Sequence, residues 1–154
     1  MNIFYLPPRL IDTSTLLNEL SVVVKTFHQI DNLDGVPVDD RIVRKYQNYH
    51  PYIFARHELI VKELRKRDIS ITDTSEELLD KLNYGFLYPD LKVDDISKDV
   101  SILTAIWSQY DDEPEIMVLN EELNLLDYEE IINEVVFDLS QIREEFDLSD
   151  GPRE

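Results

Sequence analysis

RHELIVKELRKRDISITDT (residues 56–74) interleaves apolar side chains with Lys and Arg at helical spacing. Continued upstream, Ile53, Phe54, His57, Ile60, Val61 and Leu64 line one stripe, and Arg56, Lys62, Glu63, Lys66 and Arg67 fall outside it. Pro51 suits the first turn of such a helix, because its missing N–H is an orphan there anyway. The short β-branched run ISIT ends the pattern, so the helix is expected to stop near Arg67 or Asp68.

The segments on either side keep the same period. In LPPRLIDTST two prolines exclude helix, after which Asp12 or Thr13 can cap a helix from about 13 to about 29. Its apolar face is Leu16, Leu17, Leu20, Val23, Val24 and Phe27. DNLDGVPVDD is a loop by its Asp, Asn, Gly and Pro content. A short helix begins near Asp39 or Asp40. Thr74 with Glu77 predicts a capping box for a helix over 75–83, and Asp95 or Ser97 opens another with Val100, Leu103, Ile106 and Trp107 inward. EIMVL (115–119) suits a lone strand or an extended connector. Asn120 then caps a long acidic helix over 121–146, with Leu125, Tyr128, Ile132, Val135, Leu139, Ile142 and Phe146 on its apolar side. The expectation is a mainly α, compact helical domain of about five helices with little or no sheet. Residues 1–110 form its body, and 111–154 an acidic helical extension packed on it.

The 154 residues carry a formal net charge of -18, unevenly placed. Residues 1–70 hold ten Lys/Arg against nine Asp/Glu, and residues 71–154 hold five against 24. Bare duplex DNA is repelled by such a surface unless the acidic part stands clear of the contact. With no Cys there is no disulfide framework or thiolate chemistry, and three Gly leave no phosphate-cradling loop. His57-Glu58 begins like a zinc-protease helix, but Val61 stands where the second His belongs. His28 and His50 lack ligand spacing. YDDEPE gathers four acids without the spacing of a calcium loop. No cofactor or metal is expected. No apolar run approaches the roughly 18 residues of a membrane span, and MNIFYLPPRL lacks a signal-peptide layout, which together suggest a cytoplasmic protein.

Two segments taken together resemble the pyrimidine-dimer DNA glycosylases of the phage endonuclease V type. IFYLPPRLIDTSTLLNE is similar to that family's N-terminal arm and first helix. RHELIVKELRKRDISITDT is similar to its central helix, which ends in a Lys-Arg pair and passes into an Ile-x-Asp-Thr turn. The resemblance fades beyond Tyr84, and the chain after about Tyr110 is extra. It implies a small helical scaffold, a phage source, an N-terminal α-amine as nucleophile and a first-helix glutamate that drives the chemistry. A gapless match sets Met1 at the nucleophile, Asn2 at the following basic residue, Thr15 at the first-helix histidine, Ser21 at the phosphate-holding arginine and Val22 at the glutamate. Lys25 keeps one positive charge, and Glu19 supplies an acid only after a shift of one helical turn. A valine accepts no proton, so the resemblance implies lost catalysis.

The functional expectation is therefore a non-catalytic interaction protein that offers DNA-like negative charge to a basic, nucleic-acid-binding partner. Glu122, Glu129, Glu130, Glu134, Asp138, Glu144 and Glu145 form its binding surface. Lys25, Arg56, Lys62, Lys66 and Arg67 remain as residual nucleic-acid contacts or as the cations that pin the acidic helix to the body. Two alternatives stand beside it. One is an abasic-site lyase acting through Met1 and Glu19; the other is a structural protein that dimerises through its C-terminal apolar stripe.

Overall fold

The computed structural model describes residues 2–33, 40–83, 85–110 and 112–148. An N-terminal arm leads through a 3-10 turn at Pro8–Leu10 into α1 (Thr13–Asp31), α2 (Arg41–Tyr46), α3 (His50–Lys66), α4 (Ser75–Asp80), α5 (Val93–Trp107), α6 (Pro114–Asn124) and α7 (Tyr128–Phe146). No strand occurs among the described residues, and five of these helices have eleven or more residues. The fold is all-α, as the periodicity predicts.

α3 is the central element. Pro51 occupies its first turn, and every residue from His50 to Glu58 is buried. Beyond Leu59 only Ile60, Val61 and Leu64 remain inside. α3 is thus enclosed on all sides in its first half and one-sided in its second. α1, α4, α7 and the 3-10 turn pack against it. The helix ends where Asp68 adopts a left-handed backbone (φ 59°) and the Ile69 N–H donates to the Leu64 carbonyl, closing the last turn.

Short-range capping sets most other boundaries. Asp12 accepts from the Thr15 N–H at 3.2 Å, and Asp40 accepts from Ile42 and Val43. Each carboxylate satisfies N–H groups that a helix start leaves orphaned. The Thr74 capping box does not form. The Thr74 hydroxyl is within 3.0 Å of His57 Nε2, Asp73 accepts from the Ser75 N–H instead, and α4 stops at Asp80. α5 starts at Val93, ahead of the expected Asp95 or Ser97, and the Asp95 carboxylate accepts from the Lys92 N–H.

The acidic half departs most from expectation. EIMVL is helical: Glu113 caps α6 by accepting from the Ile116 N–H, Pro114 starts it, and Ile116, Leu119 and Leu123 form a buried i, i+3, i+7 row. Asn120 lies inside α6 rather than capping a helix. The continuous helix over 121–146 is two helices, because Asp127 accepts from the Glu129 and Glu130 N–H groups and restarts the chain as α7. α7 buries Ile131, Val135, Leu139 and Ile142, whereas Tyr128, Ile132 and Phe146 are half-buried and Leu125 is 86% exposed. These buried side chains join the same apolar core as Leu6, Leu16, Phe54 and Leu103.

Candidate functional site

Three ionisable side chains from three helices meet the N-terminal arm in the interior. Arg56 on α3 donates from Nε to Glu19 Oε2 at 2.6 Å and from Nη2 to Glu19 Oε1 at 3.0 Å. Glu19 on α1 is 1% exposed and Arg56 2%. The Phe4 N–H donates to Glu19 Oε2, Arg56 Nη1 donates to the Leu6 carbonyl, and the Tyr52 hydroxyl donates to the Phe4 carbonyl. From α5, Asp99 Oδ2 accepts from the Tyr5 N–H at 2.6 Å and the Leu6 N–H at 3.1 Å. Side chains thereby bond the polar backbone groups that residues 4–6 carry into the core, as a neighbouring strand would. Burial pushes the Asp99 carboxyl up to about 6, against the lowering pull of the two amides and of Arg56.

This clasp corrects the expectation for Arg56. It lies neither outside the apolar stripe nor against the acidic extension, because its guanidinium is the buried counterion of Glu19. Glu19 forms part of the wall of a cavity of about 300 Å³, with Asn2, Phe4, Thr15, Ser21 and Val22 around it. Both of its oxygens are already bonded, so it holds the arm in place. Met1 lies outside the described residues.

The remaining cations of α3 face a cleft of about 620 Å³ between the Pro7–Pro8 turn and α7. Lys62 Nζ donates to Glu145 at 2.7 Å, a contact between exposed groups. Arg67 is more enclosed: it donates to Glu63 on its own helix, to the Thr13 hydroxyl, to the Pro8 carbonyl and to Glu115 on α6. Arg9, which no sequence pattern singles out, makes a two-point pair with Glu134 at 2.7 and 2.8 Å. Arg65 pairs with Asp73. Lys25 and Lys66 are exposed and form no ion pair among the described residues. The basic helix thus meets the acidic half through Lys62 and Arg67, and the arm adds Arg9.

The expected acidic surface divides accordingly. Glu134 and Glu145 are held by the protein's own cations. Asp138 is half-buried in the cleft wall, and burial together with Glu134 raises its carboxyl above the ordinary range. Glu122, Glu129, Glu130 and Glu144 are exposed and make no ion pair among the described residues. Between Lys98 and Arg143 the chain has twelve Asp/Glu and no Lys or Arg, so the outer faces of α6 and most of α7 have no cation of their own.

Two of the three histidines, His50 and His57, are buried and hydrogen-bonded. His50 Nδ1 accepts from the Asn83 N–H, which leaves Nε2 to donate to the Phe27 carbonyl; burial lowers this imidazole's pKa and favours the neutral form. His57 lies between Glu58 and the Thr74 hydroxyl. No group of three or more potential metal ligands occurs among the described residues, and Asp111 of the YDDEPE stretch lies outside them. Asp99 and Tyr52 escape a reading of the sequence because their partners are backbone groups 94 and 48 residues away. Searches against protein-family models, curated proteins and solved structures found no match to this chain.

Proposed function

We propose that this chain is a non-catalytic acidic interaction protein, built on a glycosylase-like helical scaffold, that binds a basic nucleic-acid-binding partner by offering negative charge where DNA would lie. The observation that carries this reading is the stretch between Lys98 and Arg143, which has twelve acids and no cation. It folds so that Glu122, Glu129 and Glu130 face solvent without an ion pair among the described residues, and the exposed Glu144 follows directly after Arg143. Like-signed charges on a rigid face raise the local potential and steer an oppositely charged partner. The engagement of Glu19 with Arg56 and the arm also supports a non-catalytic reading, because the acid that the lyase alternative needs already bonds through both oxygens.

The test uses an arginine-rich DNA-binding domain prebound to labelled duplex DNA. Adding the wild-type protein is expected to release the DNA, with an efficiency that falls as salt rises. A chain with Glu122, Glu129, Glu130 and Glu144 all replaced by Lys is expected not to. Equal release by both chains would sink the proposal, as would borohydride trapping of the wild-type protein on abasic-site DNA.

A further inference from the structure

α6 presents two faces of different character. Ile116, Leu119 and Leu123 point into the core. The opposite side carries Met117 (53% exposed), Val118 (57%) and Leu125 (86%). Met117 and Val118 stand about 100° apart on the outer side of the helix, and Leu125 is the residue that caps its C-terminal end. Two large apolar side chains on the outer side of an eleven-residue helix, and a third at its C-cap, are not explained by the fold, because α6 already buries a complete row without them. Beneath Met117, between the end of α5 and α6, lies a cavity of about 220 Å³ that reaches Trp107, Ile116 and Asn120.

We propose that the outer face of α6 docks an amphipathic helix of the basic partner, whose apolar side chains meet Met117, Val118 and Leu125 while its Lys and Arg meet the acids around them. This inference rests on the acidic-interaction reading and gives the partner a shape. Charge complementarity selects the occupant. Glu121 lies one turn from both Met117 and Val118, Glu122 lies one turn from Val118, both are exposed, and no Lys or Arg lies between Lys98 and Arg143. A second copy of this chain would set these acids against their own kind around a two-fold axis, and a phosphate backbone or anionic lipid would meet the same repulsion. A flexible basic tail would satisfy the acids but leave the apolar side chains in water. An amphipathic helix with anchors at i, i+3 or i+4, and i+7 satisfies both, and the cavity under Met117 is a place for one anchor.

The probe is a 20-residue peptide with Leu at helical spacing and Lys elsewhere, titrated by fluorescence anisotropy near physiological salt. It is compared with a scrambled peptide of the same composition and with oligolysine. The wild-type protein is expected to bind the patterned peptide at least about tenfold more tightly than either control. The double variant Val118→Ser/Leu125→Ser is expected to lose that preference while binding oligolysine as before. Both positions are exposed, so circular dichroism should show an unchanged fold. In methyl spectra, the bound peptide should shift Met117, Val118 and Leu125. Equal binding of all three peptides, or an unchanged preference in the double variant, would overturn the α6 inference and leave the acidic surface standing. Failure of every basic probe to bind would overturn both. A wild-type dimer that the double variant abolishes would give the face to a second copy and also overturn the inference.

Discussion

Replacing Glu19 with alanine is expected to destabilise the protein far more than an ordinary surface substitution. The change strands the Arg56 guanidinium, which is 2% exposed and has Glu19 as its anionic partner at 2.6 Å, and it removes the acceptor of the Phe4 N–H. Breaking a buried pair from one side costs about 3–5 kcal/mol, because an uncompensated charge stays inside. Against a typical domain stability of about 5–15 kcal/mol this is a large fraction. At about 2–4 °C per kcal/mol for a chain of this length, the melting temperature should fall by about 6–20 °C. Glutamine in place of Glu19 should rescue little, since its amide nitrogen would point a donor at a guanidinium that has only donors. Removing both partners, as Glu19→Leu/Arg56→Met, should recover much of the loss, because two apolar side chains of similar volume leave no charge behind. Urea denaturation followed by the fluorescence of the single Trp107 and by circular dichroism closes the double-mutant cycle. A cost below about 1 kcal/mol for Glu19→Ala, or strictly additive single losses, would refute the assignment of this pair as the clasp of the arm.

The same geometry gives three further expected outcomes. Asp99 holds its proton to about pH 6 in the folded chain against about 4 unfolded, so its stability contribution is fully present below about pH 4 and is lost as pH rises through about 6. Subtracting the stability of Asp99→Asn from that of the wild type at each pH should give a difference that declines by on the order of 2 kcal/mol across that window; a flat difference contradicts the buried carboxyl. Arg67→Ala, which removes a half-buried guanidinium from Glu63, Thr13, Pro8 and Glu115, should cost about 2 kcal/mol, whereas Lys62→Ala at the exposed Glu145 contact should cost at most about 1, both read from urea midpoints. Gly85→Ala would bring a Cβ to 2.7 Å from the Asn48 carbonyl oxygen, a backbone atom that cannot swing away, and should lower stability by about 1–3 kcal/mol in the same assay.

Much of the helical order is legible in the chain because helix starts and faces are local properties. Asp12 and Asp40 bond amides within three residues of themselves, and the stripe from Ile53 to Leu64 repeats within single turns. EIMVL misleads because five residues are too few to separate a helix from a strand; Leu123, two turns from Ile116, completes the helical row. The break at Asp127 is hidden because the apolar period of α7 extrapolates backwards through Leu125, a side chain that the structure leaves in water.

Local pattern in the chain was enough to establish an all-α protein, the starts of most of its helices, and a charge distribution that leaves the stretch between Lys98 and Arg143 without cations. The work those charges do was settled by packing between distant segments. Periodicity tells which side of a helix is apolar, but not whether the opposite side meets water. The first half of α3 is enclosed all round, so Arg56, polar by pattern, lies inside and needs Glu19. Asp99, one acid among many in the sequence, becomes the acceptor for an arm 94 residues away. Lys62 and Arg9 pair with Glu145 and Glu134, two of the acids expected on the binding surface. A charge buried beside a fixed partner takes its role from that partner and from the loss of water around it, and both depend on which distant segments the fold brings together.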